Sequence, residues 1–289
     1  MAQVEAAGWS EDQGWAATRD GLALYWRSAV PPQPRALVVV VHGLAEHSGR
    51  YLHVLRRLAA AGYACYALDC RGHGRSPGPR VHVAGFDRFL WDVDAMESVA
   101  RDRHRELPVV LLGHSQGGLV VLLHALRHPQ GRAGVVASSP LLGVHPSSRP
   151  SAARAWAARV LSPILPGLLQ STGLDPAALS RDPAVVEAYR TDPLVSRRVS
   201  LRWFTSVAEA MAEAHTAAPG LRVPALVMAA AADRVVDAEA TRRFVQRAPA
   251  GLVDYVPWEG LFHELFNEPQ REQVLARALA WLGVTLKTR

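Results

Sequence analysis

Gly113-His114-Ser115-Gln116-Gly117 reads G-x-S-x-G. Before it, Pro108-Val109-Val110-Leu111-Leu112 is β-branched and apolar, the pattern of a buried strand. After it, Gly118-Leu119-Val120-Val121-Leu122-Leu123-His124-Ala125-Leu126 reads as a buried helix. Strand, tight turn and helix form the context in which this motif presents a serine nucleophile. Gly113 and Gly117 lack a Cβ, so strand and helix can approach closely around the turn. The turn exposes the Ser115 hydroxyl and leaves the Gln116 N–H at a helix N-terminus, free to face a developing oxyanion.

Outward from the turn, strands and helices alternate. Trp15–Thr18 and Leu22–Trp26 flank Asp20-Gly21 and predict a hairpin. Ala36–Val41 is a continuous apolar run, as expected of a strand buried on both faces of a parallel sheet. A loop, His42–Tyr51, follows, then a helix over 51–61 and a strand over Tyr63–Leu68. Asp69–Ser76 is a glycine-rich loop, and Phe86 to about Arg105 a helix. Beyond the central turn come a strand at Gly134–Ser138 and a proline-broken helical stretch over 141–215. Alternation resumes with Val223–Ala231 (strand), Asp237–Arg247 (helix), Leu252–Pro257 (strand) and Gln270–Trp281 (helix). The expectation is an α/β protein with a mostly parallel sheet covered on both faces. Its core is 1–140 with 216–289, and 141–215 is an inserted helical lid. Within the insertion, Trp156, Val160, Ile164 and Leu168 fall at helical spacing, as do Trp203, Val207 and Met211. The first set reads equally as packing within the lid and as a wall for an apolar chain.

Composition removes several function classes. The chain has 289 residues, 49% of them hydrophobic, enough for a large core without disulfides or metals. Cys65 and Cys70, five apart across an extended stretch, are too distant to bridge and make no metal-ligand spacing, so a reduced, cytoplasmic protein is expected. The net charge is +6, carried by scattered arginines, with Lys287 the sole lysine. No arginine run marks a nucleic-acid arm, and no nucleic-acid partner is expected. Residues 1–8 have neither the basic nor the apolar region of a secretory signal, and no apolar run reaches the length of a membrane span.

A serine nucleophile needs a base, an acid that orients the base, and oxyanion donors. In a strand-turn-helix setting the chain order is serine, acid, histidine, the last two in loops at the carboxyl ends of later strands. Asp233, after Val227-Met228-Ala229, and His263, after the last strand, occupy those places. Asp237 is the alternative acid, but its position before a helix reads as an N-cap. His73, between two glycines, reads as structural. His124 and His128, four apart on a helix, lack the glutamate of a metalloprotease motif, and no metal or cofactor is expected.

His42–Tyr51, Asp69–Ser76, Gly113–Gly118, Leu179-Ser180-Arg181-Asp182, Asp192-Pro193-Leu194, Ala232-Asp233-Arg234 and His263-Glu264-Leu265 together resemble the monoacylglycerol lipase (lysophospholipase-like) branch of the α/β-hydrolases. The resemblance runs from about residue 15 to the C-terminus. It implies the α/β-hydrolase fold and a cofactor-free serine esterase acting on monoacylglycerols and related lipid esters. Broader carboxylesterase or lysophospholipase action is the near alternative, and a non-catalytic binding scaffold the distant one. It implies Ser115 as nucleophile, Asp233 as acid, His263 as base, and the N–H groups of Leu44 and Gln116 as oxyanion donors. Glu46, Arg50, His114 and Tyr189 match positions at the glycerol end of the family's pocket. Arg50 is expected to hold Glu46 or a water, because a lone cation gains little from a neutral glycerol. The apolar lid offers surface either to line a tunnel for an acyl chain or to rest transiently on a membrane surface. Three positions depart from the family: Gln116 stands for methionine and is expected to bring an amide beside the ester, Ala45 stands for glycine, and Ala229–Ala232 replace a glycine-containing approach to the acid.

Overall fold

The computed structural model describes residues 8–287. The expectation of no leader segment concerns residues that lie almost wholly outside that range. Eight strands form one sheet in the order β1-β2-β4-β3-β5-β6-β9-β10. They are β1 (Ser10–Ala17), β2 (Ala23–Val30), β3 (Leu37–Val41), β4 (Ala64–Leu68), β5 (Val109–His114), β6 (Arg132–Ser138), β9 (Ala225–Ala230) and β10 (Val253–Trp258). From β4 to β10 all neighbours are parallel, while the β1–β2 hairpin is antiparallel and joins β4 antiparallel. The hairpin is longer than its apolar residues predicted, because the polar run Ser10–Gly14 pairs with Trp26–Val30 at the sheet edge.

The apolar runs are buried on both sides. Leu37, Val39 and Val41 pack into one core with α2 (Asp87–Arg103), α3 (Gln116–Arg127) and α7 (Ala238–Arg247). Val38 and Val40 point the other way, toward α1 (Leu52–Ala60) and α8 (Arg271–Thr285). Alternate side chains of one strand thus feed two cores, which is why the run carries no polar residue. The chain runs from β3 out to β4 and returns on the other side of β3 to β5. That reversal opens a crevice at the carboxyl ends of β3 and β5, where open α/β sheets bind ligands.

Between β6 and β9 lies the inserted segment. It holds α4 (Ala152–Leu161), β7 (Leu169–Ser171), α5 (Pro183–Thr191), β8 (Arg198–Ser200) and α6 (Leu201–Ala217). The expectation of a wholly helical stretch over 141–215 needs correction. β7 and β8 pair antiparallel, Leu169 opposite Ser200 and Ser171 opposite Arg198. The spacing that linked Trp156 to Leu168 is not one helix either, since α4 ends at Leu161, with Pro163 and Pro166 just beyond. Caps start the other helices: Asp182 accepts from Ala184 N–H ahead of α5, and Ser200 from Trp203 N–H ahead of α6. Among the described residues no helix is long and apolar enough to cross a membrane, and Cys65 and Cys70 are free and buried.

Candidate active site

Ser115 sits between β5 and α3 with φ 53° and ψ −117°, a backbone region that side chains disfavour. Its flanks hold it there. Ser115 N–H donates to Ser138 O at 3.0 Å, and its own carbonyl accepts from Leu119 N–H at 3.1 Å and Leu141 N–H at 2.9 Å. Both glycines are required. A Cβ on Gly113 would lie 2.1 Å from Gly117 O, and one on Gly117 would lie 2.1 Å from Val41 O. The turn is therefore locked between the helix and β3.

Asp233 follows β9 and is pinned on both oxygens. Oδ1 accepts from Val235 N–H at 2.7 Å and Val236 N–H at 2.9 Å, and Oδ2 faces His263 Nδ1 at 2.7 Å. A carboxylate only accepts, so Nδ1 carries the proton and Nε2 keeps its lone pair. Burial pushes the His263 imidazole down, but the Asp233 charge and hydrogen bond outweigh it and hold the group above its ordinary 6.5. The ring of His114, the residue before Ser115, lies 4.7 Å from the His263 ring. Asp237 instead accepts from Glu239 N–H at 3.0 Å, capping α7, and pairs with Arg149 and Arg243. Of the two aspartates, Asp233 is the one bonded to a histidine.

The loop after β3 comes against the serine: a Cβ on Gly43 would be 3.2 Å from Ser115 Cβ. His42 orients this loop. Its Nε2 accepts from Cys70 N–H at 2.9 Å, so its Nδ1 is the donor to Gly43 O at 2.7 Å. In a planar trans peptide the N–H points opposite to the C=O. Fixing Gly43 O on His42 therefore turns Leu44 N–H away from it. Glu46 Oε1 adds a 2.6 Å bond to Gly43 N–H. Ala45 has φ 63°, a strain of about 1 kcal/mol for an alanine. Its carbonyl accepts from Ser196 N–H of the inserted segment at 3.0 Å.

Glu46, Arg50, His114 and Tyr189 lie near one another. Arg50 donates to Glu46 Oε2 at 2.7 Å, as expected, and its guanidinium sits 4.8 Å from the centre of the Tyr189 ring. Tyr51 O–H donates to Glu46 Oε1 at 2.6 Å. Burial pushes the Glu46 carboxyl up, but the Arg50 charge beside it wins and holds it down at about 2. Burial and the neighbouring His263 push His114 down to about 4, so it is neutral. Sequence reasoning missed Glu264, which forks onto Arg50 at 2.5 and 2.8 Å. Its one local signal was its place next to His263.

The amide oxygen of Gln116 accepts from Trp203 Nε1 on α6 at 2.6 Å, which ties the elbow to the inserted segment. Trp156 and Ile164 are 68% and 71% exposed, so they are neither packing within the insertion nor, in this state, an enclosed wall. His124 Nε2 bonds Asp94 at 2.8 Å. His73 Nδ1 donates to Arg71 O at 2.9 Å while its ring packs on His42 and Phe89. Among the described residues no group of three or more His, Cys, Asp or Glu side chains gathers as a metal site.

Residues 32–270 match the family model described as "Serine aminopeptidase, S33". The chain is 38% identical over 253 residues to a monoacylglycerol lipase of Mycolicibacterium smegmatis, covering 86% of this chain and 88% of that one. The chain belongs to the monoacylglycerol lipase branch of the α/β-hydrolase family. Within that family it is also 34% identical over 251 residues to phospholipase YtpA of Bacillus subtilis, covering 86% and 95% of the two chains. The crystal structure of the Paleococcus ferrophilus monoacylglycerol lipase superimposes with a TM-score of 0.83 at 36% identity, over 91% of this chain and 99% of that one. The sheet, its helices and the inserted segment are thus the α/β-hydrolase fold, and the chain is a hydrolase of the lipase and esterase class.

Proposed function

We propose that the chain hydrolyses monoacylglycerols to fatty acid and glycerol through an acyl-enzyme on Ser115. The observation that carries the reading is the 2.7 Å bond from His263 Nδ1 to an Asp233 pinned by two backbone amides, which leaves Nε2 as a base. His263 takes the proton of Ser115 as the hydroxyl oxygen attacks the ester carbonyl. The N–H groups of Leu44 and Gln116 hold the oxyanion. His263 then protonates the departing alcohol, and water releases the fatty acid by the reverse path. His114 and Tyr189 line the polar end that receives the alcohol, with the Arg50–Glu46 pair behind them.

The inserted segment acts as the lid. Trp203 and Val207 of α6 share a core with Leu119 and Val120 of α3, so the lid roofs the elbow, and Ser115 is only 6% exposed. A site so covered favours one acyl chain over three. Each methylene buried on binding adds about 0.8 kcal/mol. The outer face of the lid exposes Trp156, Ile164, Leu165 and Leu168 beside Arg154 and Arg159. That combination favours transient contact with an anionic lipid surface. The Bacillus relative favours a second reading, lysophospholipid hydrolysis by the same machinery.

The test compares kcat/KM for a long-chain monoacylglycerol, lysophosphatidylcholine and triolein in matched detergent. The expected order places the monoacylglycerol first, the lysophospholipid well below it and triolein near zero. Lysophosphatidylcholine in first place would install the second reading. Triolein at or above the monoacylglycerol would overturn the single-chain argument.

A further inference from the structure

Three charged side chains meet out of water beside His263. Arg50 comes from the short 3-10 turn Ser48–Tyr51 that closes the loop after β3. Its Nη1 donates to Glu46 Oε2 at 2.7 Å, and it forks onto Glu264 through Nη1–Oε1 at 2.5 Å and Nη2–Oε2 at 2.8 Å. Glu46 grips Gly43 N–H, one residue before Leu44. Glu264 follows His263 directly and also accepts from Asn267 Nδ2 at 2.9 Å. One cation thus ties the loop bearing an oxyanion donor to the loop bearing the base.

Taking three charges out of water carries a large desolvation cost. A neutral alcohol offers little in return, and every oxygen of the two carboxylates is already engaged. The arrangement makes sense as a brace. We infer that Arg50, forked onto Glu264 and bonded to Glu46, is a positioning residue that fixes the oxyanion loop relative to His263, with Glu264 the partner that keeps it in place. The inference rests on His263 being the base and Leu44 N–H an oxyanion donor.

Charge gives the brace a second consequence. Two carboxylates against one guanidinium leave one negative charge in excess near His263. The groups facing that ring are Asp233 after β9, His114 at the end of β5, Glu46 and Arg50 from the loop after β3, and Glu264 itself. Asp233, Glu264 and Glu46 all favour its protonated form, while His114 is neutral at physiological pH. Removing the Glu264 charge therefore lowers the pH at which His263 takes up its proton.

The experiment uses two esters with one acyl chain and different alcohols, monodecanoylglycerol and p-nitrophenyl decanoate. Glu264→Gln preserves shape and leaves Arg50 paired with Glu46; Arg50→Lys keeps the charge but cannot fork. With activity expressed per folded protein by circular dichroism, each variant is expected to lower kcat about tenfold on both esters, with KM nearly unchanged. For Glu264→Gln the acid limb of kcat/KM moves to lower pH on both esters. A loss confined to the glycerol ester, or one carried by KM, would overturn the inference and make the cluster an alcohol subsite. Unchanged kcat and an unmoved acid limb in folded Glu264→Gln would also overturn it. Should that variant fail to fold, the same kcat and KM comparison on Arg50→Lys decides. Absence of Ser115-dependent hydrolysis in the wild type would bring down the base assignment, and the brace with it.

Discussion

Replacing Asp233 by asparagine changes one end of a pinned side chain. Oδ1 keeps the N–H groups of Val235 and Val236, at 2.7 and 2.9 Å, so the group stays where it is. The other end becomes an NH2 donor facing His263 Nδ1, where a carboxylate oxygen stood at 2.7 Å. A neutral imidazole answers by moving its proton to Nε2, and Ser115 then has no lone pair to receive its proton. The expected loss in kcat is about 10⁴-fold, or about 5 kcal/mol of barrier, with little change in Tm at neutral pH. The pH profile moves as well. Burial pushes His263 down, and Asp233 is the largest of the charges that hold it above 6.5. Wild-type kcat/KM is lost as pH falls through a value above 6.5, and in the variant that limb moves to lower pH. A raised folded-state pKa adds stability that is complete below the unfolded value of about 6.5 and is lost as pH rises through the folded value. Wild type and variant should therefore converge in Tm at alkaline pH and separate in mild acid, wild type higher. Initial rates on a p-nitrophenyl ester and thermal melts across pH measure both. A kcat within tenfold of wild type, or a large fall with the acid limb in place, would refute the reasoning.

Ser115→Ala should fold, lose about a thousandfold or more in kcat and fail to label with a fluorophosphonate. His263→Ala should cost a similar factor, and the double variant should be little worse, because the two act as one unit. Asp237→Ala should lower stability by about 1 kcal/mol in thermal melts and keep most activity, since Asp237 caps α7. Gly117→Ala puts a methyl 2.1 Å from Val41 O, backbone against backbone. It should cost about 3 kcal/mol or more, read as a lower denaturation midpoint or as insoluble protein.

What the chain reveals locally and what it hides follow from the range of the interactions. Val38–Val41 and Leu111–Leu112 are apolar because both faces of the sheet are covered, and that requirement is written residue by residue. The elbow is equally local: Gly113, Ser115 and Gly117 share five positions and one turn. The inserted segment is harder, because β7 and β8 have three residues each, too few to show a period of two, and they meet across the length of α5. The polar cluster is hardest. Arg50 and Glu264 are 214 residues apart, and Gln116 and Trp203 are 87 apart. No spacing along the chain announces either contact. Each exists because the order β4-β3-β5-β6-β9-β10 brings the loops after β3, β5 and β10 to one edge, and because α6 folds back over that edge. Sequence motifs therefore identify the groups that can carry the chemistry, which sit at strand ends. The groups that aim them come from whichever loops the sheet order makes neighbours. That is why Asp233 and His263 could be proposed as a pair from position along the chain, whereas Glu264, adjacent to His263 and pointing into a different contact, could not.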